Sequence, residues 1–174
     1  MPQAVPIDPL KLTEAGRAFA NQSGGKGRPR PIWLRRSVSS AYYALFHRLC
    51  RDAAAHLLPK GTHQEQLQLA RAFGHRDMKG VCAQIAGREG GTHQYVRPLV
   101  NGLKQTGIAD VALAFCDLQE ARHRADYDHL SAFSKAVALA HVEDAEKAMQ
   151  TLDKARKRDR DAFFSLLAIG ARLH

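Results

Sequence analysis

The stretch "IWLRRSVSSAYYALFHRLCRDAAAHLL", residues 32–58, decides the fold class. Leu34, Val38, Ala41, Tyr42, Leu45, Phe46, Leu49 and Ala53 recur at steps of three and four. That is the period of one helix face, and an apolar stripe this long must pack against other helices. The opposite face carries Arg35, Arg36, Ser39, Tyr43, His47 and Arg51. Between Glu14 and Asp52 the chain holds no acidic residue, while Arg17, Lys26, Arg28, Arg30, Arg35, Arg36, Arg48 and Arg51 all fall in that window. A solvated helix face ordinarily mixes signs, so this run reads as one wall of an anion-binding surface.

Upstream, residues 9–22 read as a first helix whose inner face carries Leu10, Leu12, Ala15, Phe19 and Ala20. The segment "NQSGGKGRPRP", residues 21–31, is a flexible basic loop that includes Lys26, Arg28 and Arg30. It lacks the Walker spacing of a phosphate-cradling loop. Downstream, residues 59–107 are less regular. Short helices are expected near 63–73 and 77–87, then a Gly-rich loop, with Pro98 near the next helix start. Residues 108–124 form an amphipathic helix. A last helix is expected from Ser134 to about Ile169, with Ala138, Val142, Ala145, Met149 and Leu152 at alternating steps of four and three. A helix of that length would outlast the bundle and present its charged end to a partner. With no β-alternation and no repeat, residues 1–174 read as a single all-α domain, an up-and-down bundle of four to five main helices.

Bulk properties fit this frame. The chain has 174 residues, 45% of them apolar, which is enough for one real core. The formal charge is +9 and the pI about 9.8, which points toward a polyanionic partner, most simply nucleic acid. Cys50, Cys82 and Cys116 are far apart and sit in apolar helical surroundings, so reduced core thiols are expected. The opening "MPQAVPIDPLKLTEAGRAFA" has no basic start followed by an apolar run, so neither a signal peptide nor a membrane span is expected, and the location is expected to be cytoplasmic. Nine histidines invite a metal reading, but no H-x-x-x-H or H-E-x-x-H spacing occurs, and neither metal nor cofactor is expected.

The candidate chemistry lies in "ARHRADYDHL", residues 121–130. Two readings of it stand open. In one, Arg122 and Arg124 are cations favoured at a helix C-terminus, and Asp126 and Asp128 are turn and cap residues. In the other, Arg and His gather around a phosphate. Metal-independent RNA cleavage needs a group to activate a 2′-hydroxyl, one to protonate the leaving oxygen, and a cation on the phosphorane. A His near its ordinary pKa and an Arg suit those tasks. Arg122 and His129 have six residues between them, and Arg124 and His129 four.

Together the segments "RRSVSSAYYALFHRLC", residues 35–50, and "ARHRADYDH", residues 121–129, resemble the HEPN family (higher eukaryotes and prokaryotes nucleotide-binding). The first is similar to the R-x-S-[IV]-S-x-A-Y-Y-A-[LM]-[FY]-H helix of that family. The second is similar both to its R-x-x-A-D-Y pattern and to the R-x(4–6)-H motif of its ribonucleases. The resemblance covers residues 32–58 and 108–169. It implies a helical homodimer whose motifs meet at the dimer cleft and, in active members, metal-independent endoribonuclease action as a toxin or antiphage effector. Carried over, Arg122 would bind the scissile phosphate, His129 would act as general acid/base, and His123 would orient the site. Arg124 would assist Arg122, and Asp126 and Tyr127 would hold the turn. From the residues themselves, the basic face with Arg35, Arg36, Arg51, Lys26, Arg28 and Arg30 would hold RNA, Tyr43 would either stack on a base or pack in the bundle, and His47 would face the same cleft as Arg122. The alternative is a non-catalytic module that binds RNA or nucleotide, or serves a partner such as a neutralising protein or a nucleotidyltransferase. Toxins modified by such a partner often carry a Tyr two residues after the motif His. Here that residue is Ser131, so tyrosine adenylylation is not implied.

Overall fold

A computed structural model describes residues 7–22 and 30–170. Among these residues there are eight helices and no strand, an all-α bundle as the periodicity requires. The order is α1 (Pro9–Asn21), α2 (Pro31–Leu57), α3 (His63–Ala70), α4 (His75–Ile85), α5 (Arg97–Leu103), α6 (Gly107–Tyr127), α7 (Lys135–Lys154) and α8 (Lys157–Ile169).

Helix α2 is the axis of the fold. All eight residues of its expected stripe are buried. So are Ser37, Ser39, Ala44, Cys50 and Ala54, because α1, α3, α6, α7 and α8 all pack on it. The main core joins the stripe from Ala41 onward to Val111, Phe115 and Leu118 of α6, to Val142, Met149 and Leu152 of α7, and to Met78, Cys82 and Ile85 of α4, while Leu34 and Val38 pack in a second cluster with Ala20, Ala121, Ala125 and Ala138. Cys50, Cys82 and Cys116 are buried free thiols.

Local signals start most helices. Asp8 caps α1 by accepting from the Leu10 amide at 3.0 Å. Thr62 and Glu65 form a reciprocal capping box on α3. Pro98 lies in the first turn of α5. Thr106 and Ser134 cap α6 and α7.

Three expectations are corrected. The inner face of α1 is Pro9, Thr13, Gly16 and Ala20, while Leu10 is 61% exposed. The reason is close approach: a Cβ on Gly16 would lie 3.0 Å from Val142 Cγ2 and 3.4 Å from the Ser37 carbonyl. Small residues, not large ones, let α1 sit in the groove between α2 and α7. Second, α6 continues past residue 124 to Tyr127, so Asp126 and Tyr127 belong to its last turn and not to a loop. Third, the single long C-terminal helix is two. Ala155 and Arg156 adopt extended backbone, with ψ of 146° and 142°. Helix α8 then turns back and buries Phe163, Phe164, Leu166 and Leu167, so it closes the core and does not project from it. Asp159 accepts from Arg156 Nε at 2.8 Å in the new first turn, and Arg160 donates across the break to the Asp153 carbonyl at 3.0 Å. No helix among the described residues is long and apolar enough to cross a membrane.

Candidate nucleic-acid interface at the end of α6

Helix α6 brings Arg122 and Asp126 onto one face, four residues and one turn apart. The Arg122 side chain crosses to α2. One terminal nitrogen donates to the Tyr43 hydroxyl at 2.8 Å, and Nε lies 2.7 Å from Asp126 Oδ2. The Nε–H is not aligned on that oxygen, so the second contact is an ion pair more than a hydrogen bond. The guanidinium carbon lies 5.4 Å from the Tyr43 ring centre and 5.5 Å from that of Tyr127, so it stands between two aromatic rings. Asp126 Oδ1 in turn accepts from Ser39 Oγ at 2.6 Å. Only 20% of the Arg122 side chain and 28% of the Asp126 side chain face solvent. Burial works against the charge on Arg122, and the Tyr43 hydroxyl and Asp126 outweigh it, so its pKa is held above the ordinary value.

Behind Tyr43 sits a residue that no sequence signal pointed to. His75, the first residue of α4, stacks on Phe46 with ring centres 3.9 Å apart. Its Nδ1 is 2.6 Å from the Tyr42 hydroxyl, and its carbonyl accepts from Gln119 Nε2 at 3.2 Å. Burial lowers its pKa, and the nearby Arg122 and His47 lower it further. His47, stacked beside Tyr43 at 6.0 Å, is also lowered by burial. Both imidazoles are therefore biased toward the neutral form.

The turn after α6 is held from α2. Arg35 donates to the carbonyls of Arg124 (3.3 Å), Ala125 (2.8 Å), Asp128 (2.9 Å), His129 (3.5 Å) and Ser131 (2.5 Å). A planar guanidinium fits this task because it offers several donors in a fixed fork to the carbonyls of the last helical turn and of the turn that follows. Asp128 closes the turn by accepting from the Leu130 amide at 2.9 Å and the Ser131 hydroxyl at 2.5 Å. These bonds, led by that from Ser131, hold its carboxyl below the ordinary range.

The residues singled out in the sequence thus separate into two groups. Arg122, Asp126, Tyr43 and Tyr127 form one cluster, with His47 and His75 beside it. His123, Arg124 and His129 are exposed; His123 leans on Tyr127 at 5.1 Å between ring centres. The side chains of Arg124 and His129 have no hydrogen-bond or ion-pair partner among the described residues. A cleft of about 610 Å³ is lined by Lys79, Gln119, Glu120, Arg122, His123 and Arg124, and His129 is not part of its lining.

The basic run around α2 proves less available than its sequence suggests. Arg35 is engaged in the turn. Arg17 pairs with Glu146 at 2.5 Å, and Arg48 pairs with Asp52 at 2.6 Å and with Asp153. Arg51 is 3.4 Å from Asp52. Arg30 and Arg36 are exposed and have no side-chain partner among the described residues. Lys26 and Arg28 lie outside the described residues. No family model, no curated protein and no solved structure matches the chain.

Proposed function

We propose that the protein is a HEPN-type module that binds RNA through the exposed groups at the end of α6, with Arg122 serving as an internal tie. The observation that carries this reading is the state of Arg122. An Arg grips a phosphate best with two free, parallel donors. Here the guanidinium is held by Tyr43 and Asp126 and flanked by two rings. The exposed groups with no polar side-chain partner among the described residues are Arg124, His123 and His129, with Arg36 on α2 as a further such cation. Their chemistry suits a polyanion, and the net charge of +9 adds long-range attraction.

A second reading, metal-independent endoribonuclease action, is favoured by a separate observation. Leu130 is 94% exposed and Tyr127 is 61% exposed, immediately beside His129. Apolar side chains displayed this way suit contact with a second copy. A homodimer formed there would set Arg124, His123 and His129 of one copy against those of the other. Arg124 would then bind phosphate and His129 would transfer the proton.

Incubation of RNA with purified protein in EDTA separates the two. Binding that weakens with salt, without cleavage, fits the binding module. Cleavage that persists in EDTA and vanishes in both His129→Ala and Arg124→Ala fits the nuclease.

A further inference from the structure

A second cleft, of about 480 Å³, opens on the other side of the α2 aromatic cluster, between the start of α1, α2, α3 and the start of α4. Its size lies within the roughly 300–1,000 Å³ usual for small-molecule sites. Two properties define what it would take. Its walls are apolar: Ile7, Phe46, Cys50, Leu67, Ala70 and Phe73. The other side chains that line it are the cations Arg51 and Arg71 and the imidazoles of His47 and His75, and no acidic side chain is among them.

Helix α3 sharpens the argument. None of its residues is buried, although Leu67 and Ala70 lie against the cleft and Phe73 follows within three residues. Ile7 is 52% exposed at the opposite rim. An apolar body in the cleft would cover this surface and add to the packing of α3 on α2. The inner wall is already fixed: Phe46 and His75 are stacked, and Tyr42 holds the His75 ring. At the mouth, Arg71 has no ion pair among the described residues, and Arg51 has only the 3.4 Å contact to Asp52, an acid that already pairs with Arg48.

We infer that this cleft binds a small amphipathic anion, an apolar chain or ring that carries one carboxylate or phosphate, with the body between α2 and α3 and the head on Arg71 and Arg51. The inference stands apart from the proposed RNA-binding site, because Arg36, His123, Arg124 and His129 do not line this cleft.

Isothermal titration with decanoate below its micelle concentration tests it, with decyl phosphate, decanol and decyltrimethylammonium run in parallel. Two variants accompany the wild type: Ala70→Trp, which fills the cleft from a partly exposed wall, and Arg71→Glu, which reverses a rim charge at an exposed position. The expected result is saturation at one anion per chain. Arg71→Glu should weaken it roughly tenfold or more, and Ala70→Trp should abolish it while far-UV helicity stays unchanged. Tighter binding of decyl phosphate than of decanoate would assign the head group as phosphate, and the reverse order as carboxylate. Absence of saturable anion binding, equal affinity for decyltrimethylammonium, or an unchanged decanoate isotherm in Ala70→Trp would overturn the inference.

Discussion

Replacing Asp126 by Ala should leave Arg122 charged, three-quarters or more covered and without its counter-ion. The side chains of the pair are 20% and 28% exposed, so solvent can still reach both. Removing one partner of a fully buried pair costs about 3–5 kcal/mol, whereas an exposed pair contributes about 0–1 kcal/mol. Partial exposure places Asp126→Ala between these limits, at about 2 kcal/mol. Ser39 Oγ also loses its 2.6 Å acceptor, which keeps the value from falling lower. For a chain of this size, about 2 kcal/mol corresponds to a drop in Tm of roughly 4–8 °C. Urea unfolding of Asp126→Ala, Tyr43→Phe and the double variant measures whether the tie acts as a unit. Arg122 touches both residues, so their effects should couple by at least about 0.5 kcal/mol. Strict additivity, with each single change within about 0.5 kcal/mol of wild type, would refute the claim that Arg122 ties α6 to α2.

Four further outcomes follow from the geometry. Arg35→Lys should loosen the turn after α6, because an ammonium cannot serve five carbonyls, and should speed amide exchange over residues 128–131, read by deuterium uptake. Gly16→Val should destabilise by about 1–3 kcal/mol, since its Cβ would meet Val142 Cγ2 at 3.0 Å; a thermal melt checks this. His47, His75 and His141 all have pKa values lowered in the fold, chiefly by burial. The unfolded chain therefore binds their protons first, and stability should be present above pH 6.5 and be lost as pH falls below it, with NMR ring signals titrating under 6.5. Burial pushes the Cys50 thiol up to about 12, so native protein at pH 8 should leave it unalkylated by iodoacetamide, and urea should expose it.

The bundle was legible where burial follows a single helical period. The stripe on α2 could be read residue by residue because large apolar side chains mark its buried face. On α1 the same rule held at Ala20 but failed at Leu10, since a close helix crossing selects the small Gly16 for the buried face, and nothing local distinguishes such a face. The division of α7 from α8 did leave a trace. Continuing the steps of four and three beyond Leu152 puts Arg156 and Asp159 at consecutive core positions before Phe163 and Leu166 restore the pattern. Two charges in a row on the seam mark a break, even with no Gly or Pro to signal it.

The candidate site was half legible. The four-residue spacing of Arg122 and Asp126 is itself a helical pair, and it shows that α6 runs through the motif. The role of Arg35 as a clamp on the α6 end, and the arrival of His75 behind Tyr43, depend on how α2, α4 and α6 pack. Similarly, the acid-free run before Asp52 resembles a free basic wall only until the chain folds, when Glu146 and Asp153 on α7 neutralise Arg17 and Arg48.

The most direct test of the RNA-binding account is affinity for single-stranded RNA, measured by fluorescence anisotropy in EDTA across a salt series. Wild type, Arg124→Ala and Arg36→Ala should be compared with Tyr95→Ala, whose exposed ring lies far along the chain on the Gly-rich loop. The account predicts a linear fall of log affinity with log salt for wild type. Each Arg variant should show a smaller slope, by roughly 0.7 for single strands, and Tyr95→Ala should match wild type. No salt-dependent binding, or slopes unchanged by either Arg substitution, would contradict it.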